Sequence, residues 1–190
     1  MPEMCPEHCF VLENDVGRTV GYIVGTPNTN DWIKDYREKF IPWLESQGIH
    51  EAPPDADLND QLTVAKRDLF TFRHYKPSAF PLANMMLEKY PASIHVNISA
   101  AYRRQGYGQK LLEAFGQSVK KNGASGISLV MAGNNTAGEN FYTSCGFKRF
   151  PHVIDGGVSG ELGRDNMVNM EVKTHVWLVK DLYERDQATL

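Results

Sequence analysis

The sequence is poor in cysteine and has no long hydrophobic run. Among its 190 residues are three cysteines: Cys5 and Cys9 lie near the start and Cys145 lies far along the chain, which is not the distribution of a disulfide framework. No apolar run reaches the roughly 20 residues of a membrane span. The first residues, MPEMCPEHCF, lack the basic and apolar segments of a secretory leader. We therefore expect reduced thiols, no membrane partner and a cytoplasmic location, with the nucleus as the alternative.

An excess of charge of either sign is also missing. The net charge is −3 and the pI is about 6.1, and basic residues adjoin each other only as isolated pairs, at Lys66-Arg67, Arg103-Arg104, Lys120-Lys121 and Lys148-Arg149. A field this weak does not attract a polyanion, so nucleic acid is excluded as a partner. The group formed by Cys5, His8 and Cys9 lacks a fourth ligand at zinc spacing, so no metal is expected.

What is present is the composition of an ordinary folded domain. The sequence is 42% hydrophobic and 23% charged, and a chain of this length buries about 70% of the surface that its unfolded form exposes. We expect a single domain over residues 1–190. Its first element is CFVLENDVGRTVGYIVGT, where two strand-like runs flank a polar turn, as in a β-hairpin.

Residues 31–91 predict a mostly helical insertion. Asp31 is expected to cap its first helix, Pro42 to end or kink that helix, and Gly48 to stop it. The aromatic residues here are expected to form core, with an acceptor cleft or a protein-binding face as alternatives: Trp32, Tyr36, Trp43, Phe70, Phe72, His74 and Tyr75.

The central segment predicts a strand, a glycine-rich turn, a helix and a second strand. In ASIHVNIS, Ile94, Val96 and Ile98 share one face, and His95 and Asn97 share the other. RRQGYG follows, then the helix QKLLEAFGQSVKKNG and the strand SGISLVMA, which together form a crossover between strands of one sheet. A short helix around Phe141-Tyr142, a strand from Phe147 and a late strand in VNMEVKTHVWLVKDLYE complete the prediction.

RRQGYG, residues 103–108, is the candidate binding motif. A helix N-terminus carries unpaired N–H groups and a partial positive charge, and glycines allow an anion to approach them closely. The motif matches neither the dinucleotide fingerprint nor the P-loop. The alternative, that the glycines only allow close strand–helix packing, is equally compatible with the motif alone.

These residues resemble the GNAT acetyltransferase superfamily. The pattern is Arg103-x-x-Gly106-x-Gly108 after an apolar strand, with Asn135 three residues before Gly138 and Tyr142 four before Gly146. The resemblance covers roughly residues 10–180. A narrower resemblance, to the acetyltransferase-like C-terminal domain of O-GlcNAcase and its free-standing microbial relatives, rests on the hairpin, the insertion and PASIHVNI.

The resemblance implies an α/β acyl-CoA N-acyltransferase fold, with a mixed, splayed sheet of about six strands flanked by helices. It implies acetyl-CoA as the acetyl donor and an unidentified amine as the acceptor, with the chain acting as a monomer or homodimer. The residues implied to bind acetyl-CoA are Val96, Asn97, Ile98, Arg103, Arg104, Gln105, Gly106, Tyr107, Gly108 and Asn135. Tyr142 would protonate the departing thiolate. The alternatives are that Tyr142 only packs its helix and that Asn135 only caps it.

The general base is where the resemblance fails. The family commonly places a carboxylate or histidine at positions that align here with Ala92 and Ile94, and neither residue can accept a proton. His95 is adjacent but faces the other side of a regular strand. A bulge could turn it, water could relay the proton to Asp31 or His74, or the amine could arrive deprotonated. We expect an N-acetyltransferase acting by direct attack; the alternative is a non-catalytic module that binds a protein or acyl-CoA.

Overall fold

The computed structural model describes residues 4–57, 59–74, 81–152 and 175–183. Within these ranges it contains six strands, six α-helices and a π-helical turn. The strands are β1 Phe10–Glu13, β2 Thr19–Thr26, β3 Ala92–Ile98, β4 Gly126–Ala132, β5 Lys148–Arg149 and β6 His175–Asp181. The helices are α1 Thr29–Asp35, the π-helix Tyr36–Phe40, α2 Ile41–Ser46, α3 Gln61–Phe70, α4 Pro81–Lys89, α5 Tyr107–Lys121 and α6 Thr136–Ser144. None of these helices combines the length and hydrophobicity needed to cross a bilayer.

The strands form one mixed sheet in the order β1-β2-β3-β4-β6-β5. Every neighbouring pair is antiparallel except β3 and β4, which run parallel and pair only at Ala92 with Ile127 and Ser93 with Ser128. Beyond Ser93 the two strands separate and leave a gap, which we call the splay. The predicted hairpin, crossover unit and splayed six-stranded sheet are confirmed.

Helices cover the sheet on both faces. The amphipathic helix α5 buries Leu111, Leu112, Phe115 and Val119 against strand residues that include Ile23, Leu129 and Leu178. On the opposite face α4 buries Met86 and Leu87 against Tyr90 and Val179. Because α5 lies on the face that carries Ile94, Val96 and Ile98, the outward face of β3 is the one that carries His95 and Asn97.

Close contacts hold β3 at the point where the splay begins. The fully buried Ser128 hydroxyl lies within hydrogen-bond distance of the Tyr90 carbonyl, at 3.1 Å, and of the Ala92 carbonyl, at 3.2 Å. Gly25 of β2 is equally constrained, because a Cβ there would lie 2.2 Å from the Ser93 carbonyl oxygen. The start of the splay is therefore held on the β4 side by the Ser128 hydroxyl. On the β2 side, β3 packs so closely that position 25 has no room for a side chain.

The insertion is mostly helical, as predicted, but it begins differently. Asn28 caps α1 by accepting hydrogen bonds from the amides of Asn30 and Asp31 at 3.0 and 3.3 Å, so the prediction that Asp31 is the cap is wrong. Pro42 does not end the helical segment. It lies in the first turn of α2, directly after the π-helix, where a missing N–H breaks no helical bond.

The insertion has a hydrophobic cluster of its own, separate from those on the sheet. Its buried members are Tyr36, Ile41, Leu44 and Phe70, which supports the prediction that most aromatic residues here form core. Trp43 departs from this pattern, since its side chain is 48% exposed. Tyr75 and residues 168–174 of the predicted late strand lie outside the described residues.

Candidate active site

The open end of the splay meets the N-terminus of α5. Gly106 precedes this helix with a φ of 82°, and no side chain caps the helix. Within the described residues, the backbone N–H groups from Arg104 to Gly108 donate no hydrogen bond, and this segment lies at the surface. The turn therefore offers several unpaired donors, together with the positive end of a helix dipole, to an anion.

Arg103 and Arg104 shape the turn in ways that the sequence did not reveal. Arg103 Nε donates to the Ile98 carbonyl at 2.7 Å and so ties the turn to the end of β3. Arg104 has a φ of 59°, the only positive φ of a non-glycine residue among the described residues. Such a conformation costs roughly 1–2 kcal/mol outside glycine, and it is maintained where the unpaired amides begin.

The two glycines of RRQGYG have different structural roles. A Cβ on Gly106 would meet nothing within 4 Å, so this glycine serves the left-handed backbone conformation. A Cβ on Gly108 would lie 2.8 Å from Cζ of Phe141, which packs against the helix. The packing explanation is thus correct for Gly108, whereas at Gly106 the space above the turn is open.

The edge of β3 that faces the splay has its own free backbone groups. Ser99 donates its N–H to the Val20 carbonyl of β2 at 2.8 Å, and successive residues of a strand direct their backbone groups to opposite sides. Asn97 therefore bonds toward β2, while Val96 and Ile94 direct their N–H and C=O groups into the splay. Ile94 was not among the residues predicted from sequence, because the direction of its backbone groups depends on the pairing of β3 with β2.

Tyr142 lies on α6 among aromatic side chains. Its ring centroid is 5.1 Å from that of Phe141 and 5.6 Å from that of Phe147. Burial, with a smaller contribution from Cys145, raises the pKa of Tyr142 to about 12. Within the described part of the chain its hydroxyl has no hydrogen-bond partner, so the phenol is protonated at neutral pH and able to donate.

Asn135 caps α6 in this structure. Its Oδ1 accepts from the Gly138 N–H at 2.9 Å, and a Cβ on Gly138 would lie 2.5 Å from the Asn135 amide nitrogen. The capping interpretation therefore accounts for its side-chain oxygen.

The residues considered as general base lie apart from one another. His95 is exposed on the outward face of β3, with its ring centroid 5.9 Å from that of Tyr22. Ala92 is fully buried, and Ile94 packs in the main core. Asp31 is exposed in the first turn of α1. No bulge occurs in the pairing of β2 with β3, whose register is continuous from Ile98 to Ser93, so His95 is not turned inward.

The N-terminal cysteine and histidine residues are engaged in local contacts. His8 is buried, with Nδ1 2.9 Å from the Ser118 hydroxyl, and the Cys9 thiol donates to the Cys5 carbonyl at 3.3 Å. Among the described residues, no three His, Cys, Asp or Glu side chains are grouped as they would be around a metal ion.

Known proteins share both a sequence segment and the fold with this chain. Residues 82–149 match the family model of the acetyltransferase (GNAT) domain. The crystal structure of SsHAT aligns with a TM-score of 0.68 at 23% identity, covering 96% of this chain and 76% of that one. The structure of yncA from Salmonella typhimurium with its cofactor acetyl-CoA aligns with a TM-score of 0.49 at 16% identity, covering 96% of this chain and 70% of that one. No curated protein matches the sequence.

Residues 82–149 therefore resemble the GNAT acetyltransferase domain, and the architecture of the chain is the GNAT acyl-CoA N-acyltransferase fold. The matched segment runs from α4 through β3, the RRQGYG turn, α5, β4 and α6 to β5. It thus contains the splay, the unpaired amides and Tyr142. The narrower resemblance to the O-GlcNAcase domain stays a prediction.

Proposed function

We propose that this protein is an N-acetyltransferase that transfers the acetyl group of acetyl-CoA to an amine by direct attack. The observation that carries the proposal is the row of unpaired amides from Arg104 to Gly108 at the mouth of the splay. These N–H donors match the hydrogen-bond acceptors of a pyrophosphate, whose oxygens carry negative charge. The backbone groups of Val96 and Ile94 fit the pantetheine amides, which would add to β3 as a short strand.

In the proposed reaction the amine lone pair attacks the thioester carbonyl carbon. Negative charge then develops on the carbonyl oxygen, and a backbone N–H directed into the splay, from Val96 or Ile94, stabilises it. The C–S bond breaks, the sulfur leaves as a thiolate and takes the Tyr142 proton, and the nitrogen loses its proton to water or a base. Tyr142 then regains a proton from solvent, which restores the enzyme for the next turnover. The products are the N-acetyl amine and free CoA.

Tyr142 suits the role of the acid because of its surroundings. Its raised pKa keeps the hydroxyl protonated through the neutral range, and no described residue competes for that proton. For removal of the proton from the attacking amine, the candidate is His95, which is exposed on the outward face of β3 and would act through a water molecule. An amine that arrives deprotonated needs no base, and turnover would then rise with pH as the free amine becomes deprotonated.

The first experiment is calorimetric titration of the full chain with acetyl-CoA and, separately, with CoA, followed by thiol release in the presence of amine acceptors. We expect one-to-one, micromolar binding and acceptor-dependent release. Tyr142→Phe should lower turnover at least 100-fold with little change in CoA affinity. Tyr183→Phe, at a tyrosine whose side chain is 59% exposed, is the matched control. Unchanged turnover in Tyr142→Phe would remove this residue from the acid role.

The second candidate is a non-catalytic module that binds acyl-CoA or a protein. It is favoured by the apolar residues Ala92 and Ile94 at the positions where the family commonly has its base. Acetyl-CoA binding without release of thiol to any of a broad set of amines would support the module. No binding of either ligand would reject the enzyme and the acyl-CoA-binding module, leave the turn as a packing element and direct the search to protein partners.

A further inference from the structure

A second cavity adjoins the RRQGYG turn on the side away from the splay. It has a volume of about 250 Å³ and lies between the turn of the β1–β2 hairpin and two tyrosines, Tyr102 just before RRQGYG and Tyr107 within it. Its apolar floor includes Leu12 and the buried Val20. Ligand pockets start at roughly 300 Å³ for a whole drug-sized molecule, so this cavity fits a single planar group.

Two tyrosines line this cavity, and the backbone N–H of the second, Tyr107, is one of the amides proposed to bind phosphate. Tyr102 precedes Arg103, and Tyr107 follows Gly106 as the first residue of α5. Asn14 Nδ2 donates to the Tyr102 hydroxyl at 3.2 Å, so that hydroxyl accepts one bond and keeps its own hydrogen to donate. Aromatic walls of this kind bind a flat ring by stacking.

The rim of the cavity supplies hydrogen-bond acceptors. Glu13 and Asp15 lie on the hairpin at its edge, and neither carboxylate has an ion-pair partner within the described residues. An ionised carboxylate only accepts hydrogen bonds, so this rim repels phosphate and favours a group that carries N–H donors. Phosphates would stay at the amides, where Arg104 and Lys110 are exposed.

We infer that this cavity is the subsite for the adenine base of the CoA nucleotide. The base would stack between Tyr102 and Tyr107. Its exocyclic amine would donate to Glu13 or Asp15, and a ring nitrogen would accept the Tyr102 hydrogen. The inference rests on the proposed function, because the phosphates must occupy the adjoining amides for the base to reach the cavity.

The test compares CoA with desamino-CoA, in which a carbonyl oxygen replaces the exocyclic amine of the base and N1 of the ring gains a hydrogen, while the ribose, the phosphates and the pantetheine arm are retained. Calorimetry on the full chain should give about tenfold weaker binding of desamino-CoA to the unmodified protein. The double variant Glu13→Gln/Asp15→Asn should reduce that preference to within twofold. The matched control, Asp55→Asn/Glu88→Gln, changes the charge equally at exposed distant positions and should keep the preference.

Each outcome separates the two proposals. If the unmodified protein binds both ligands equally, or if Glu13→Gln/Asp15→Asn keeps the tenfold preference, CoA binding stands and the adenine subsite is wrong. If neither ligand binds, the proposed function fails and the subsite fails with it. As a second measurement, Tyr107→Leu should weaken CoA binding while leaving S-acetyl-4′-phosphopantetheine, which lacks the base, unaffected. Equal losses for both ligands would contradict stacking.

Discussion

Substitution of Gly108 by alanine tests how the RRQGYG turn and the Tyr142 helix are joined. The new Cβ would lie 2.8 Å from Cζ and 3.0 Å from Cε2 of Phe141, whereas ordinary contact begins at 3.4 Å. The ring, or α6 with it, must move by roughly half an ångström, and overpacking of this kind costs about 1–3 kcal/mol. The higher helix propensity of alanine returns about 1 kcal/mol. We therefore expect a net loss of up to roughly 2 kcal/mol in the free energy of unfolding.

The assay is urea unfolding of a double-mutant cycle with Phe141→Leu, whose smaller side chain makes room for the methyl group. The double variant should be more stable than the two single losses predict, with a coupling of about 1 kcal/mol. Gly106→Ala is the internal control, because its Cβ meets nothing within 4 Å. Its cost of about 1 kcal/mol comes from the left-handed backbone and should be independent of Phe141. Additive losses for Gly108→Ala and Phe141→Leu would refute the contact.

Three further predictions concern Gly25 at the start of the splay, Arg103 in the RRQGYG turn and Tyr142 as the proposed acid. Gly25→Ala should lower the free energy of unfolding by more than roughly 3 kcal/mol, which is the upper end of the usual cost of overpacking, because its Cβ would lie 2.2 Å from the Ser93 carbonyl oxygen. A decrease in melting temperature no larger than that of Gly106→Ala would contradict this. Arg103→Met removes the 2.7 Å hydrogen bond to the Ile98 carbonyl that ties the turn to β3. It should therefore weaken CoA binding about tenfold while barely changing the unfolding midpoint. An unchanged CoA affinity in calorimetry would show that this bond does not shape the turn. Burial raises the Tyr142 pKa from 10.0 to about 12, so above pH 10 the unfolded chain loses the phenol proton more readily than the folded protein does. The free energy of unfolding should therefore be unaffected below pH 10 and fall by roughly 2–3 kcal/mol between pH 10 and pH 12. Tyr142→Phe should remove this loss, and an alkaline profile identical to that of the unmodified protein would contradict the prediction.

Sequence reasoning succeeded where local pattern and burial agree. The alternation of Ile94, Val96 and Ile98 predicted the inward face of β3, and the helical spacing of Leu111, Leu112 and Phe115 predicted α5. Both patterns follow from one periodic element facing one core. The parallel connection followed from the order of those elements, whereas the splay was implied by the family resemblance.

Sequence reasoning failed where the contact that decides the structure joins residues distant in the sequence or is made by the backbone. Asp31 and Asn28 are both good helix caps, and only the path of the chain out of β2 decides between them. The contact of Gly108 with Phe141 joins residues on two helices, so RRQGYG alone could not separate packing from binding. The direction of the Asn97 backbone groups depends on the pairing with β2, which no local pattern in β3 specifies.

The separate aromatic cluster of the insertion has a consequence for how the molecule opens. Among the residues that the structure describes, Tyr36, Ile41, Leu44 and Phe70 belong to a cluster that has no buried member in common with the two clusters on the sheet. Thr29 joins α1 to the sheet through two 2.8 Å bonds to the Pro91 carbonyl. Amide hydrogens of α1 and α2 can therefore exchange with solvent through partial unfolding of the insertion, while those of α5 and β4 stay protected until the whole sheet opens. Sequence changes in the insertion can accordingly remodel one surface of the protein while the splay and its phosphate-facing amides keep their geometry.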